Sequence, residues 1–183
     1  MKVKEILPTL EGLGWLCARD EAGDYFCIIN INGVQVQVIP SIGKRSDHFR
    51  VSLMPSVSTK DFTAAAAFIM GEAGDHEPII VRNGAPEKIV HFSLGDIVRL
   101  SQDAISWASA QDIRKGLADY RSLPTEAKGA MPLRHLAALA IAGDVERLKS
   151  YKISFEQGNR LGFVPYIEQD MIERALLIAQ DVR

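Results

Sequence analysis

The sequence predicts an α+β fold in which helices cover one face of an antiparallel sheet. Residues 24–32 are mostly apolar, and Asn32-Gly33 separates them from residues 34–38, where valine and glutamine alternate. Asn-Gly between two such runs is typical of a β-hairpin, because a type I′ turn needs positive φ at both central positions. Apolar and polar residues alternate again over residues 49–53. Helical periodicity flanks these three strands, so helices are the expected cover for their apolar face.

The elements that precede the hairpin are a helix and the first extended segment. Apolar residues recur at helical spacing over residues 3–13, and an extended segment starts at Trp15. Cys17 and Cys27 lie in or beside predicted strands. Two thiols ten residues apart, without companion metal ligands, predict two free cysteines that are buried as small hydrophobic side chains.

A helix, two short strands and a further helix are predicted after the third strand. Residues 58–61 resemble a capping box, and the four consecutive alanines in the helix that follows suit close packing on the sheet. Residues 79–81 and 88–92 are apolar enough for short strands, and Asn83-Gly84 between them is a second hairpin signal. Residues 93–108 are predicted to be a helix with its own capping pattern.

The predicted order over residues 1–108 is helix, three strands, helix, two strands, helix. This order, with hairpin signals at Asn32-Gly33 and Asn83-Gly84, resembles the type III secretion chaperone-like fold and the similar small bacterial proteins named after YbjN. The resemblance implies a bacterial α+β chaperone-like domain that binds polypeptide and carries out no catalysis. Such chaperones end near the third helix, whereas this chain continues through residues 109–183.

The second predicted domain, residues 109–183, is a helical extension packed on the first. Residues 132–151 resemble the helix-turn-helix of an ankyrin repeat, with Gly143 at the turn and Asp144 capping the second helix. No second copy follows at a fixed period, so these residues are interpreted as a local pair of antiparallel helices. Residues 167–179 have the periodicity of a final amphipathic helix.

Composition and charge limit the classes of partner. The net charge is −2, and lysine and arginine form no block. Nucleic acid is therefore excluded as a main partner, because phosphate binding needs a clustered basic surface. The N-terminal residues 1–5 carry an acid and no long apolar core, which is unlike a signal or transit peptide. The longest apolar runs are too short for a membrane span. We therefore expect a cytoplasmic protein without a membrane partner.

The sequence offers no catalytic, cofactor-binding or metal-binding residues, and we expect no cofactor. His48 follows Asp47 directly, and adjacent side chains seldom face each other as a catalytic dyad requires. His76 has no second histidine at metal-ligand spacing. His135 lies on an apolar helical face, where a structural hydrogen-bonding role is expected. The common motifs of hydrolases, nucleotide-binding loops and metal sites do not occur.

A non-enzymatic protein-binding module, either a chaperone-like or an immunity-like adaptor, is the function that we expect. Gln35, Gln37, Arg50 and Ser52 are predicted to form one polar sheet face, which either docks a partner or is simply solvated. The helix that contains Trp107 spreads apolar residues over more than one face and is the predicted surface for a homodimer.

The loop over residues 158–166 is the other predicted binding surface. Arg160, Phe163 and Tyr166 belong to residue types that are enriched at interface hot spots. The alternative is that Phe163 and Tyr166 fix this loop to the helical core.

A small-molecule binder or an enzyme is the alternative function. Its pocket would lie between the sheet domain and the helical half, since ligand sites are common at domain junctions. The polar groups that we expect to converge there are Arg134, His135, Arg160 and Tyr166.

Overall fold

A computed structural model describes residues 1–74 and 76–182 and confirms the α+β fold class. The strands are β1 (Leu16–Arg19), β2 (Tyr25–Ile31), β3 (Val34–Val38), β4 (Ser41–Lys44), β5 (Phe49–Ser52), β6 (Pro55–Ser58), β7 (Ile80–Val81) and β8 (Glu87–Ile89). The helices are α1 (Val3–Gly12), α2 (Lys60–Met70), α3 (Leu94–Ser109), α4 (Ile113–Arg121), α5 (Met131–Ile141), α6 (Val145–Glu156) and α7 (Gln169–Asp181).

The chain divides into two compact units, and each unit is built from two separate stretches of sequence. The sheet unit contains residues 1–58 and 80–111, and the helical unit contains residues 59–79 and 112–183. The predicted division into residues 1–108 and 109–183 places α2 in the first domain, whereas the structure places it in the helical unit. This helix belongs to the helical unit and packs there against α5 and α7, whereas the sequence pattern assigned its alanines to the sheet.

The sheet unit contains two antiparallel sheets, whereas the sequence pattern predicts that the first three strands form one sheet. The strand orders are β1-β2-β3-β6-β7 and β4-β5-β8. The predicted hairpin of β2 and β3 is confirmed, with φ of 50° at Asn32 and 83° at Gly33. The expected sheet of three strands would pair β5 with β3, and this prediction is wrong. In the structure β3 pairs with β6, and β5 pairs with β4 and β8. Pro40 follows β3 and lacks the N–H that a continued ladder would need.

The second predicted hairpin is also wrong. β7 pairs with β6 in the larger sheet, while β8 pairs with β5 in the smaller one, so Asn83-Gly84 joins two sheets. Neither residue has the positive φ that a type I′ turn requires. The core of this unit lies between the larger sheet and helices α1 and α3, which contribute buried Ile6, Leu10 and Ile97.

Cys17 and Cys27 form a disulfide, which corrects the prediction of two free thiols. The two residues are direct partners in the β1–β2 ladder, with their Cα atoms 4.0 Å apart. Cys27 is buried and Cys17 is half-buried. The strands and the spacing of the cysteines could be predicted from the sequence, but the register that opposes the two thiols depends on the turn between residues 20 and 24.

The helical unit is centred on α5, which packs against α2, α4, α6 and α7. The predicted helix pair of α5 and α6 is confirmed, with φ of 68° at Gly143 and an N-terminal cap in which Asp144 accepts from the Arg147 N–H. His135 on α5 is fully buried. Its Nδ1 lies 2.9 Å from the Tyr120 carbonyl oxygen, and its Nε2 lies 3.0 Å from the Tyr151 hydroxyl.

Candidate functional site

The sheet unit carries a small groove where the end of β5, the turn into β6 and the 82–87 connection meet α3. The volume of this groove is about 90 Å³. Its floor is apolar and consists of buried residues: Val51, Leu53, Pro55, Leu100 and Ala104. Strand alternation explains the floor, because Phe49 and Val51 point to one face of β5 while Arg50 and Ser52 point to the other.

Met54 forms part of the rim in an unusual backbone conformation. Its φ is 38°, which lies in the left-handed region that side chains other than glycine rarely adopt, and its side chain is 43% exposed. The Met54 N–H donates to the Ser52 hydroxyl at 3.2 Å, and the Leu53 carbonyl accepts from the Ile39 N–H at 2.7 Å. These two bonds hold the tight turn between β5 and β6. Such a conformation costs on the order of 1–3 kcal/mol and is concentrated at functional positions.

Charged side chains complete the rim. The Arg99 guanidinium binds Glu87 at 2.7 Å and Asp103 at 3.3 Å, and these bonds raise the pKa of Arg99 above its ordinary value. Arg82 is exposed at the mouth of the groove and forms no ion pair within the described part of the chain. The rim therefore combines the exposed guanidinium of Arg82 with a cluster in which the carboxylates of Glu87 and Asp103 outnumber the Arg99 guanidinium.

The size and lining of the groove restrict its chemistry. Pockets for drug-sized ligands measure roughly 300–1,000 Å³, so the groove suits a single apolar side chain better than a small organic substrate. Ser52 is the hydroxyl in the lining, and among the described lining residues there is no histidine or cysteine. An activated nucleophile would need such a neighbour.

The smaller sheet has a basic face on the side away from the groove. Arg50 on β5 pairs directly with Lys88 on β8 and with Gly43 on β4. Arg50 and Lys88 are both exposed, and we call this row of Gly43, Arg50 and Lys88 the basic face. Like charges directly opposite each other destabilise a sheet, so this row carries an energetic cost.

The predicted polar surface of Gln35, Gln37, Arg50 and Ser52 is wrong as a single face. Gln35 and Gln37 are half-buried on β3, and their partners in β6 are the buried Ser58 and Ser56. Arg50 lies in the other sheet, since β5 does not pair with β3. Only the Arg50 part of the prediction coincides with an exposed charged surface.

Most of the apolar surface of α3 that was predicted for self-association is buried within the sheet unit. Ile97 and Leu100 are buried in the sheet unit, which leaves the half-buried Ile105 and Trp107. The backbone carbonyl of Trp107 accepts from the Gln111 side chain at 2.7 Å. The apolar surface that α3 offers is therefore smaller than the sequence pattern indicates.

The residues of the α6–α7 loop that were predicted to contact a partner are instead engaged within the helical unit. The Nη2 atom of Arg160 donates to the carbonyls of Val164 at 3.0 Å, Pro165 at 3.2 Å and Ile167 at 2.7 Å. Phe163 is 4% exposed and contacts the aromatic rings of α6, and the Tyr166 hydroxyl donates to the Gly129 carbonyl at 2.9 Å. This geometry matches the alternative in which the loop is fixed to the helical core.

The polar groups of the alternative small-molecule site are also engaged within the helical unit. Arg134 Nε binds Glu77 Oε1 at 2.5 Å, and His135 lies between Tyr120 and Tyr151. Because a carbonyl oxygen only accepts, the Nδ1 of His135 carries a proton, and burial lowers the pKa of His135. These bonds stabilise the helical unit, and they leave Arg134 and His135 few donor or acceptor groups for a ligand.

His76 is half-buried in the same unit, and its charge state follows from its surroundings. Burial is the main reason that its pKa is lowered to about 4, and the positive charge of Arg134 lowers it further. His76 is therefore uncharged near neutral pH. Asp75, its neighbour in the predicted loop, lies outside the described residues.

Met54 and Arg82 are the groove residues that sequence reasoning missed. Met54 precedes Pro55, and a residue before proline is biased toward extended backbone, so the sequence argued against the observed conformation. Arg82 follows a two-residue strand that was expected to form a hairpin. The composition of the 51–55 segment gave no other signal.

Comparison with known proteins assigns the chain to a family. The model of the family of unknown function DUF6990 matches residues 2–180, so the chain belongs to that family. No curated protein and no solved structure matches it. Within residues 1–74 and 76–182, no helix has both the length and the apolar character needed to cross a membrane.

Proposed function

We propose that this member of DUF6990 is a non-enzymatic protein-binding module that holds one apolar side chain of an extended polypeptide in the groove. The observation that supports the proposal best is the apolar floor of Val51, Leu53 and Leu100 beside an exposed Met54 in the left-handed conformation. A groove with a volume of about 90 Å³ fits this occupant. The resemblance of residues 1–108 to polypeptide-binding chaperones stays a prediction and does not support the proposal, because the second hairpin on which it partly rests does not form.

The rim residues suit protein recognition. Methionine is flexible and polarizable, so it adapts to different apolar surfaces. Arginine is enriched at interface hot spots, and Arg82 lies beside the apolar floor. An extended polypeptide projects alternate side chains to one side, which lets one of them enter the groove.

The expected affinity is modest. Burial of one large apolar side chain contributes about 1.5–3 kcal/mol, so its loss should weaken binding by about 10- to 100-fold. Contacts outside the groove must supply the remaining affinity. A homodimer and a cytoplasmic location stay predictions, and the Cys17–Cys27 disulfide weighs against the latter because disulfides are rare in reducing compartments.

Selection from a library of random dodecapeptides tests the proposal. The immobilised chain should enrich peptides that share one apolar anchor, and fluorescence anisotropy should then give their dissociation constants. Ala85 is exposed at the groove, so Ala85→Phe should fill the groove without disturbing the core. Ala22→Phe is the matched control, because Ala22 is exposed in the β1–β2 turn.

Ala85→Phe should weaken the selected peptides by about tenfold or more, while Ala22→Phe should leave their affinity unchanged. Selection that yields no shared anchor would contradict the proposal. So would equal affinity of the two variants for the selected peptides.

A further inference from the structure

We infer that the basic face of Gly43, Arg50 and Lys88 binds an acidic segment of a polypeptide partner. The inference rests on the proposed protein-binding function and adds the chemistry of the partner. Its starting point is that Arg50 and Lys88 are direct neighbours across β5 and β8 and are both exposed. Two like charges at such a position repel each other unless an anion lies between or above them.

Within the described part of the chain, these two cations have no internal counter-ion. Among residues 1–74 and 76–182, neither Arg50 nor Lys88 takes part in an ion pair. Glu87 precedes Lys88 in β8, but its side chain binds Arg99 on the opposite face of the sheet at 2.7 Å. The nearest carboxylate in the sheet is therefore committed elsewhere.

Protection of a sheet edge does not explain the charge at Arg50. On an edge strand such as β8, prevention of edge-to-edge aggregation is sufficient to explain an exposed lysine. Arg50, however, lies on the central strand of β4-β5-β8, where that explanation does not apply. The residue opposite it on β4 is Gly43, and a Cβ atom there would meet nothing nearer than the Arg50 carbonyl oxygen at 4.0 Å. The guanidinium is thus left uncovered on that side.

An acidic polypeptide fits this surface better than a nucleic acid does. Stable binding to nucleic acid neutralises many phosphates, whereas the basic face offers two cations on a chain of net charge −2. Two carboxylates at alternate positions of an extended segment lie on one side and can meet two neighbouring cations. Ser41, in the next row of β4, adds an exposed hydroxyl group beside them.

The test is a titration of the full chain with a fluorescein-labelled peptide in which glutamate and valine alternate. A peptide in which lysine replaces glutamate and a single-stranded DNA oligonucleotide of the same length are measured in parallel. The glutamate peptide should bind at about 50 mM salt, more weakly at about 300 mM, and the lysine peptide should not bind. Absence of binding by the glutamate peptide would overturn the inference, and so would DNA binding of equal strength.

Charge reversal locates the site. The double variant Arg50→Glu with Lys88→Glu should weaken the glutamate peptide by about tenfold or more and remove most of its salt dependence. Arg114→Glu with Lys128→Glu is the control, because both residues are exposed in the helical unit and the change in net charge is the same. Equal weakening by the two double variants would show a general effect of charge and overturn the inference.

Ala85→Phe separates this inference from the proposed function. Weakening of the glutamate peptide by Ala85→Phe but not by the Arg50→Glu, Lys88→Glu pair would support the groove and overturn the basic face. The reverse pattern would support the basic face, and the affinities of the selected peptides for Ala85→Phe would then decide the groove separately.

Discussion

Cys17 and Cys27 lie directly opposite each other on β1 and β2 and are joined by a disulfide. β1 pairs with β2 alone and is the outer strand of the larger sheet. The disulfide therefore closes a loop of ten residues and restricts how far the edge strand separates when the chain unfolds.

Reduction of this disulfide should destabilise the chain. Closing a loop of this length contributes about 2–3 kcal/mol in the chain-entropy account. Urea denaturation with and without dithiothreitol should show that loss in the free energy of unfolding. The variant Cys17→Ala with Cys27→Ala should be insensitive to dithiothreitol. Identical midpoints for the native chain under both conditions, or alkylation of both thiols without prior reduction, would contradict this prediction.

Acidification should destabilise the chain through His76. Its pKa is about 4 in the folded chain and 6.5 when unperturbed, so the unfolded chain binds the proton more readily between these values. The contribution to stability is fully present above pH 6.5 and declines as the pH falls toward 4. The difference of 2.5 pKa units corresponds to at most about 3 kcal/mol.

Urea denaturation at about pH 7 and about pH 4.5 measures this decline. His76→Gln keeps a polar side chain of similar size but does not titrate, so its free energy of unfolding should fall less over the same range. Equal pH dependence of the two chains would remove His76 as the cause. His135, whose pKa burial also lowers, should supply part of the decline that remains.

Arg160 should contribute to stability rather than to binding. Its guanidinium donates to three carbonyls of the loop that leads into α7 and lies over the Phe155 ring, with 5.3 Å to the ring centroid. Arg160→Ala should lower the free energy of unfolding by about 1–3 kcal/mol, because the bonds to a charged donor are lost. Arg160→Lys should not restore it, since an ammonium lacks the planar fork. Unchanged stability with lost peptide binding would instead support the predicted binding edge.

Gly43→Glu should reduce the positive charge of the basic face by adding a carboxylate to it. The new carboxylate would lie opposite Arg50, and a cross-strand pair of opposite charge contributes about 0.2–1 kcal/mol. Stability should rise by that amount while the glutamate peptide loses affinity. Gly43→Gln is the control, because it adds a side chain to the strand without the charge. If the glutamine variant loses the same affinity, bulk rather than charge is responsible.

Local chemistry explains which parts of the fold the sequence could predict. Asn32-Gly33 forms the expected turn because its flanking strands are long enough to pair with each other. Asn83-Gly84 has the same chemistry, but β7 and β8 are short and pair with strands that are distant in sequence. A turn dipeptide permits a hairpin, and the pairing of the flanking strands decides whether it forms.

The groove could not be predicted for a related reason. Its floor comes from β5, β6 and α3, which are brought together by pairings that the sequence pattern does not specify. Met54 adopts its conformation because the turn between two sheets requires it, and no propensity of methionine indicates this. Arg50 was selected correctly as an exposed charge, but its partner Lys88 becomes apparent only from the register of β5 and β8.

The interrupted path of the chain has a consequence for its synthesis. α2 ends at Met70, and its packing partners α5 and α7 begin at Met131 and Gln169. At about 5–20 residues per second, the ribosome needs several seconds to produce the first of these partners after α2 has emerged. During that time α2, which carries the buried residues Phe62 and Ile69, lacks these two packing partners. A nascent chain of this kind is exposed to aggregation or to capture by a chaperone, and a fragment that stops at residue 108 would remain in that state permanently.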